Sequence, residues 1–564
     1  LIAKICNAIS HLLMLGLMEA NMLGNMMNTQ LTINSLIEFA VKFHGNTEIV
    51  SRSVEGPIHR YSYADSYKRI GKLANALQKL GVGEGDRVAT LAWNTYRHFE
   101  LYFAVSGMGA ICHTINPRLF ADQIVYILNH ANDKLIFVDL TFVPVLEAIS
   151  DKLPDGARVV VMTDADHMPK TKIDGASAYE DIVGQETESF AWPDLNENIA
   201  SSLCYSSGTT GNPKGVLYSH RSTVLHSWAT CAADGFAVSA RDAVLPVVPM
   251  FHVNAWGLPY SCAMAGAKLI LPGAGMDGKS VAGLLADEGA TLAAGVPTVW
   301  LMLLQYLKDE GVKLPRLERV IVGGSAVPLS MIEEFENDVG AECIHAWGMT
   351  EMSPLGTVAK IKNSMIGKER SETIQYRIKQ GRPVFGIDAK ITGDGGAPLP
   401  HDGEAFGELC VRGPWITGSY FENAEANEGA FDDEGFLRTG DVSTIDLEGF
   451  IQIVDRSKDV IKSGGEWISS IELENLAVGH ADVAEAAVIG ISHEKWGERP
   501  LLVCVPAEGA SPLAEDILAL FEGKVAKMCI PDAVEFVHEL PHTATGKILK
   551  TKLRNDFKEY RLPG

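Results

Sequence analysis

The chain has 564 residues, enough for three or four compact units at about 150 residues each and too many for a small binding module. An apolar fraction of 46% and a charged fraction of 21% are those of an ordinary globular protein. The formal net charge of −23 excludes a general binder of DNA, RNA or anionic membrane, but not a small anionic ligand held by a few local cations. No window reaches the ~18 uninterrupted apolar residues of a membrane span, so no integral membrane association is expected. The most apolar stretch, Leu1 to Met18, is broken by Lys4, Asn7, Ser10 and His11. Residues 1–30 are expected to be an N-terminal extension, and no function is assigned to them. Nine cysteines are scattered from Cys6 to Cys529 without a C-x-x-C pair, which predicts reduced thiols and a cytoplasmic setting rather than a zinc ribbon.

In chain order, Ile70, Leu73, Leu77 and Leu80 recur at helical spacing and Gly81 ends the run. Val88 to Ala92 follows as a short buried strand. Leu135 to Val138, Val159 to Met162, Leu269 to Leu271 and Val320 to Val322 have the same texture. Continuous apolar strands separated by helical stretches predict parallel sheets covered on both faces. From about Gly381 glycine and proline become dense, and short strands with turns predict a small β-rich subdomain. Beyond Asp455-Arg456, strand-like runs such as Val483 to Ile489 alternate with helical ones, which predicts a compact terminal α+β unit.

The run from Cys204 to Val216, CYSSGTTGNPKGV, carries the strongest chemical signal. Gly208, Gly211 and Gly215 let backbone amides approach phosphate oxygens. Ser206, Ser207, Thr209 and Thr210 add hydroxyl donors, and Lys214 adds charge. It is not a Walker A loop, because the G-K-[ST] ending is missing. Further along come GGSAV (Gly323 to Val327), HAWGMTE (His345 to Glu351), RTGD (Arg438 to Asp441), DRSKDVIKSGGEWIS (Asp455 to Ser469) and TATGKILK (Thr543 to Lys550).

In this order the motifs resemble those of the AMP-forming acyl-CoA synthetases, the adenylate-forming superfamily that also holds luciferases and amino-acid adenylation domains. The resemblance runs from about Thr32 to Lys552. It implies an α/β fold: a large N-terminal domain over 31–455, built of two parallel-sheet α/β subdomains and a small β-barrel-like subdomain over about 381–455, then a small mobile C-terminal α+β domain over 456–564. It implies ATP, Mg²⁺ and CoA as the partners of a carboxylic acid, and no nucleic acid. A homodimer would be unremarkable.

By the same resemblance Ser206, Ser207, Gly208, Thr209, Thr210 and Lys214 hold the phosphates. Gly323, Gly324 and Ser325, with His345, Ala346 and Trp347, surround the adenine. Trp347 stands where Tyr is more usual, and either ring offers a flat stacking surface. Thr350 gives a hydroxyl to the α-phosphate, and Glu351, with Ser206, faces the magnesium ion. Asp441 and Arg456 take the ribose hydroxyls, and Lys547 is the catalytic lysine between the attacking carboxylate and the α-phosphate. Asp455 is the hinge. Lys458, Gly464, Gly465 and Glu466 belong to the face used for thioester formation. From Lys547 to Gly564 six cations accompany two acids, which predicts a basic end on the mobile domain.

The acid is expected beside PMFHVNAWGLPY, Pro249 to Tyr260, where the likeness is to the fatty-acid-type branch. His252 stands where amino-acid adenylation domains usually have Asp, which disfavours an amino acid. His252, Val253, Trp256, Gly323, Gly324 and Met349 would line a mostly apolar pocket. This implies a short or medium-chain acid, with 3-methylmercaptopropionate favoured and a longer fatty acid as the alternative. A luciferase-like enzyme and a carrier-protein-loading adenylating enzyme remain as readings of another class.

Overall fold

The computed structural model describes residues 24–206, 212–456, 458–463, 466–542 and 548–562. The first predicted helix spans Tyr63–Lys79. It starts at a capping box in which the Ser62 hydroxyl accepts from the Asp65 amide, a device worth about 1 kcal/mol. It stops before Gly81, whose φ is +79°. The predicted strands form at Arg87–Leu91, Leu135–Val138, Arg158–Val161, Lys268–Leu271 and Arg319–Val322.

Two sheets dominate. One has seven strands, running from Ser177–Ala178 at one edge through Arg158–Val161, Leu135–Val138, Arg87–Leu91, Ile111–Thr114 and Ala200–Tyr205 to Gly215–Ser219. Every neighbouring pair in it is parallel except the last, where Ala200–Tyr205 and Gly215–Ser219 form an antiparallel pair. The other has nine strands. Its parallel centre runs from Glu342–Gly348 through Arg319–Val322, Leu292–Gly295, Ala243–Pro246 and Lys268–Leu271 to Glu48–Arg52. The edge strands Leu355–Val358, Arg382–Pro383 and Ile58–Ser62 are antiparallel. The sheets are therefore mixed rather than wholly parallel, because their outer strands come back by short returns, except Arg382–Pro383, which follows the helix Arg370–Arg377.

The helix Tyr96–Gly107 is buried along its whole length. It has no polar face because it belongs to the core that joins the two sheets. Phe99, Tyr102 and Phe103 pack there with Leu258 and Tyr260, and the Tyr102 and Tyr260 rings stack at 5.4 Å. Each such side chain contributes about 2 kcal/mol by leaving water. Its polar residues are all paired: His98 with the Thr90 hydroxyl at 3.0 Å, and Glu100 with Arg69 at 2.7 Å and Tyr179 at 2.6 Å. Asn94 joins the ends of both sheets. Its amide nitrogen donates to the carbonyls of Pro246 and Val248, and its oxygen accepts from the Met250 amide.

The β-rich stretch is a four-stranded antiparallel sheet of Asp388–Thr392, Phe406–Arg412, Leu437–Ile445 and Ile451–Arg456. After it, Ile461–Ser463, Glu466–Ile468, Val483–His493, Gly497–Pro506 and Ala533–Phe536 make a separate five-stranded sheet. The helix Ser470–Val478 packs on it through Leu473 and Ala477.

The basic end predicted from the sequence is partly neutralised: three of its five described cations are in ion pairs. Lys550 is half-buried and pairs with Glu474 at 2.6 Å. It also donates to the Ser470 hydroxyl. Arg554 pairs with Asp459, and Lys552 with Asp556. Burial works against the Lys550 charge, but Glu474 and Asp455 outweigh it and hold its pKa above the ordinary value. Replacing Lys550 by Met leaves Glu474 and the buried Asp455 without their nearby cation, at a cost of up to about 3 kcal/mol for this half-buried pair. Lys550→Met is expected to make the C-terminal unit the first part to be cleaved in limited proteolysis. Unchanged cleavage would show that the pair contributes little.

Candidate nucleotide and acyl site

The expected site residues gather where parallel strands end, the place at which open α/β sheets bind ligands. Ser206 follows Ala200–Tyr205, Gly323 to Ser325 follow Arg319–Val322, and Met349 to Glu351 follow Glu342–Gly348. The ends of the segment expected to hold phosphate, Ser206 and Lys214, form a closed pair. The Ser206 amide donates to the Lys214 carbonyl at 2.9 Å, and the Lys214 amide donates to the Ser206 hydroxyl at 3.2 Å. Ser207, Gly208, Thr209 and Thr210 lie outside the described residues, as do Gly464, Gly465 and Lys547. Glu466 is described as part of the short strand Glu466–Ile468.

Thr350 and Glu351 sit buried on one short helical turn. Two tyrosines that the sequence reading passed over fix that turn. The Tyr218 hydroxyl donates to the Thr350 carbonyl at 2.6 Å, and the Tyr420 hydroxyl donates to Glu351 Oε1 at 2.9 Å. The Lys214 ammonium lies 4.8 Å from the centre of the Tyr420 ring. Lys214, Tyr420 and Glu351 thus form one cluster. Burial, with Glu351 adding to it, pushes the Tyr420 phenol well above its ordinary value, so it stays a donor. Its only sequence signal is the run GSYF, which carries no chemistry by itself.

Trp347 is buried, and its indole N–H donates to Asp441 Oδ2 at 3.0 Å. The other carboxylate oxygen of Asp441 receives Arg456 Nε at 2.6 Å. Asp441 and Arg456 face each other across paired strands, so the two expected ribose contacts and the expected adenine platform are one connected group. His345 is buried behind them and donates from Nδ1 to the Ile378 carbonyl at 3.1 Å. Ser325 is exposed, and Ala346 is buried in the strand. Asp455 is buried and accepts from the amides of Arg456 and Ser470, both at 2.7 Å. Burial raises its pKa against the pull of Lys550. Lys458 is exposed nearby.

The acyl-side residues also meet. A Cβ on Gly323 would lie 3.1 Å from Trp256 Cη2 and 2.8 Å from the Ala346 carbonyl, so only glycine lets the Trp256 ring close against this loop. His252 lines a small recess with Thr114, Asn116, Tyr205 and Ser206. Val253 packs with Cys204, Tyr218 and Tyr420, and Met349 is half-buried. The backbone here is unusual. Val253, Asn254, Ala255 and Trp256 have φ between +49° and +55°, and Gly257 follows at +71°. A left-handed turn costs roughly 1 kcal/mol or more at each L-residue and is least suited to a β-branched one. Gly257 lies against His226, whose Nε2 accepts from the Leu355 amide at 3.2 Å. Neither His226 nor Asn254 carries a chemical signal of its own in the sequence, since neither stands in a recognisable charged or metal-binding pattern.

The residues 37–421 match the AMP-binding enzyme family and 472–547 match the AMP-binding enzyme C-terminal domain. The chain belongs to the AMP-forming acyl-CoA ligases of the AMP-binding enzyme family. It is 51% identical to a 3-methylmercaptopropionyl-CoA ligase of Ruegeria lacuscaerulensis, covering 95% of this chain and 99% of that protein. It is 50% identical to a medium-chain-fatty-acid–CoA ligase of Ectopseudomonas oleovorans, over 96% and 98%. The crystal structure of an anthranilate CoA ligase in complex with anthranoyl-AMP superposes with a TM-score of 0.84 at 25% identity, over 94% and 98% of the two chains.

Burial holds the imidazoles of His98 and His345 down to about 4, and that of His226 to about 3. Above pH 7 these groups are neutral both folded and unfolded and cost nothing. Below their ordinary value of 6.5 the unfolded chain takes up protons that the folded chain does not. Stability is therefore expected to fall by about 1 kcal/mol per pH unit for each group until the folded values are reached. Thermal melts between pH 7 and pH 5 check this. His226→Gln keeps an acceptor for the Leu355 amide and is expected to shallow the slope; an identical slope would remove His226 from the account.

Proposed function

We propose that this enzyme joins a short or medium-chain carboxylic acid to CoA through an acyl-adenylate, with 3-methylmercaptopropionate the favoured acid. The observation that supports this most is the continuous cluster Lys214–Tyr420–Glu351 beside the connected group Trp347–Asp441–Arg456, adjoining a wall in which Trp256 lies on Gly323. In the first half-reaction a carboxylate oxygen of the acid bonds to the α-phosphorus of ATP, and the bond to the bridging oxygen breaks to release pyrophosphate. In the second, the CoA sulfur bonds to the acyl carbon, its proton leaves to solvent or base, and AMP departs. The protein's part is positioning and charge neutralisation.

In this reading Lys214 and the loop of Ser206, Ser207, Gly208, Thr209 and Thr210 bind the β and γ phosphates. Trp347, with Gly323, Gly324, Ser325, His345 and Ala346, borders the adenine, and Asp441 and Arg456 take the ribose. Thr350 meets the α-phosphate, and Lys547 stabilises charge on it during adenylation. Among the described residues no group of three or more His, Cys, Asp or Glu side chains could hold a metal ion. One carboxylate, Glu351, fits a Mg²⁺ that takes most of its oxygens from phosphate and water, and such an ion would neutralise phosphate charge. Asp455 acts as the pivot between a body over 31–455 and a C-terminal domain over 456–564. Lys458, Gly464, Gly465 and Glu466 serve the thioester step. The apolar wall of Val253, Trp256 and Met349, with His252, accepts an uncharged chain.

We also place the enzyme in the cytoplasm, as a homodimer. No helix among the described residues is long and apolar enough to cross a membrane, and Cys112, Cys204, Cys231, Cys262, Cys343, Cys410 and Cys504 are free thiols.

The test is a panel of acids that includes 3-methylmercaptopropionate, butyrate, hexanoate and octanoate, assayed for CoA-dependent release of AMP and pyrophosphate. The expected result is release with one or more of them; none with any acid overturns the proposal. Lys547→Ala is expected to lower adenylate formation about a hundredfold or more while sparing thiolysis of a supplied acyl-adenylate. Equal loss in both half-reactions would contradict its role.

A further inference from the structure

The left-handed turn Val253–Gly257 needs something to hold it, since three of its five residues gain nothing from that backbone. The Asn254 side chain supplies the hold. It is 3% exposed, and its Oδ1 accepts from the Thr114 hydroxyl at 3.4 Å and from the Cys204 thiol at 3.6 Å. Thr114 and Cys204 are themselves 3.4 Å apart on adjacent parallel strands, in register with one another. Cys204 lies two residues before Ser206, at the entrance to the phosphate loop. The Cys204 thiol is pushed up to about 11, chiefly by burial, so it remains a neutral donor. Asparagine is also the non-glycine residue best suited to the left-handed region. On the far side of the turn, Gly257 abuts the His226 ring, where a Cβ would approach within 2.8 Å. The turn is thus seated at both ends, and Trp256 is the one member whose ring reaches Gly323.

We propose that Asn254 is a positioning residue whose buried amide, bonded to Thr114 and Cys204, fixes the left-handed turn so that Trp256 stands against Gly323 and sets which acid lengths are accepted. This rests on the acid–CoA ligase reading. It adds a physical tie between the strand that ends in the phosphate loop and the wall that meets the acid. Without the tie the turn relaxes toward ordinary φ, the Trp256 ring leaves Gly323, and discrimination by length weakens.

The experiment compares kcat and KM for butyrate, hexanoate, octanoate and dodecanoate in the full-length enzyme and three variants. Asn254→Gly deletes the amide but suits the positive φ. Thr114→Val deletes one donor and leaves the turn's sequence intact. Ala255→Gly eases the same backbone and keeps the anchor. Asn254→Gly and Thr114→Val are expected to raise KM for the best acid about tenfold and to flatten the length profile, with KM for ATP changed less than about twofold. Ala255→Gly is expected to keep the wild-type profile. An unchanged profile in both anchor variants overturns the proposal, as does an equal flattening in Ala255→Gly, which would assign the effect to backbone strain alone. If Asn254→Gly fails to fold, Thr114→Val decides. Absence of acid-dependent AMP release by the wild type overturns the ligase reading instead, so the two failures are distinct.

Discussion

The carboxylate of Asp441 holds together the part of the molecule on which the rest of the site depends. One oxygen takes the Trp347 indole N–H and the other takes the Arg456 guanidinium. These three residues come from the end of the nine-stranded sheet and from two strands of the four-stranded antiparallel sheet. A buried carboxylate is costly unless its lone pairs are filled, so the three positions are mutually constrained. The strand carrying Arg456 also carries Asp455, whose carboxylate receives the first amide of the helix Ser470–Val478. The Trp347–Asp441–Arg456 group is therefore connected through consecutive residues to the start of the helix Ser470–Val478.

A second constraint governs the segment Pro249 to Tyr260. Asn94 ties the ends of the two large sheets, and the segment it fixes, Val248 to Met250, leads straight into the left-handed turn at Val253. The turn is unfavourable locally and is supported by contacts on all sides: Cys204, Tyr218 and Tyr420 against Val253, Thr114 and Cys204 against Asn254, and His226 against Gly257. Residues held in costly backbone regions persist only where their surroundings over-determine them.

Much of this was legible in the sequence, for identifiable reasons. The central strands are runs of Val, Ile and Leu because both faces of a central strand are covered, and such runs mark their own ends. The motifs at Gly323, His345, Asp441 and Asp455 are each contiguous, so the family resemblance can be recognised without knowing the fold. What could not be read was made by strand order. Tyr218 and Tyr420 are 202 positions apart yet both secure the Thr350–Glu351 turn. The antiparallel edge strands, except Arg382–Pro383, come back by short returns, and apolar content does not encode direction. The basic C-terminal end was legible as charge but not as pairing, since Glu474 and Asp459 lie far back in the chain from Lys550 and Arg554. The left-handed turn runs against the preferences of Val, Ala and Trp, and only its setting explains it.

The central claim is that nucleotide recognition is built around the Asp441 carboxylate. The most direct measurement is ATP affinity by isothermal titration calorimetry in Asp441→Asn, which keeps the side chain's size and can still accept from Trp347, but loses the charge that pairs with Arg456. A loss of about tenfold or more in affinity is expected, in a variant that stays folded by circular dichroism. Wild-type affinity in the folded variant would contradict it.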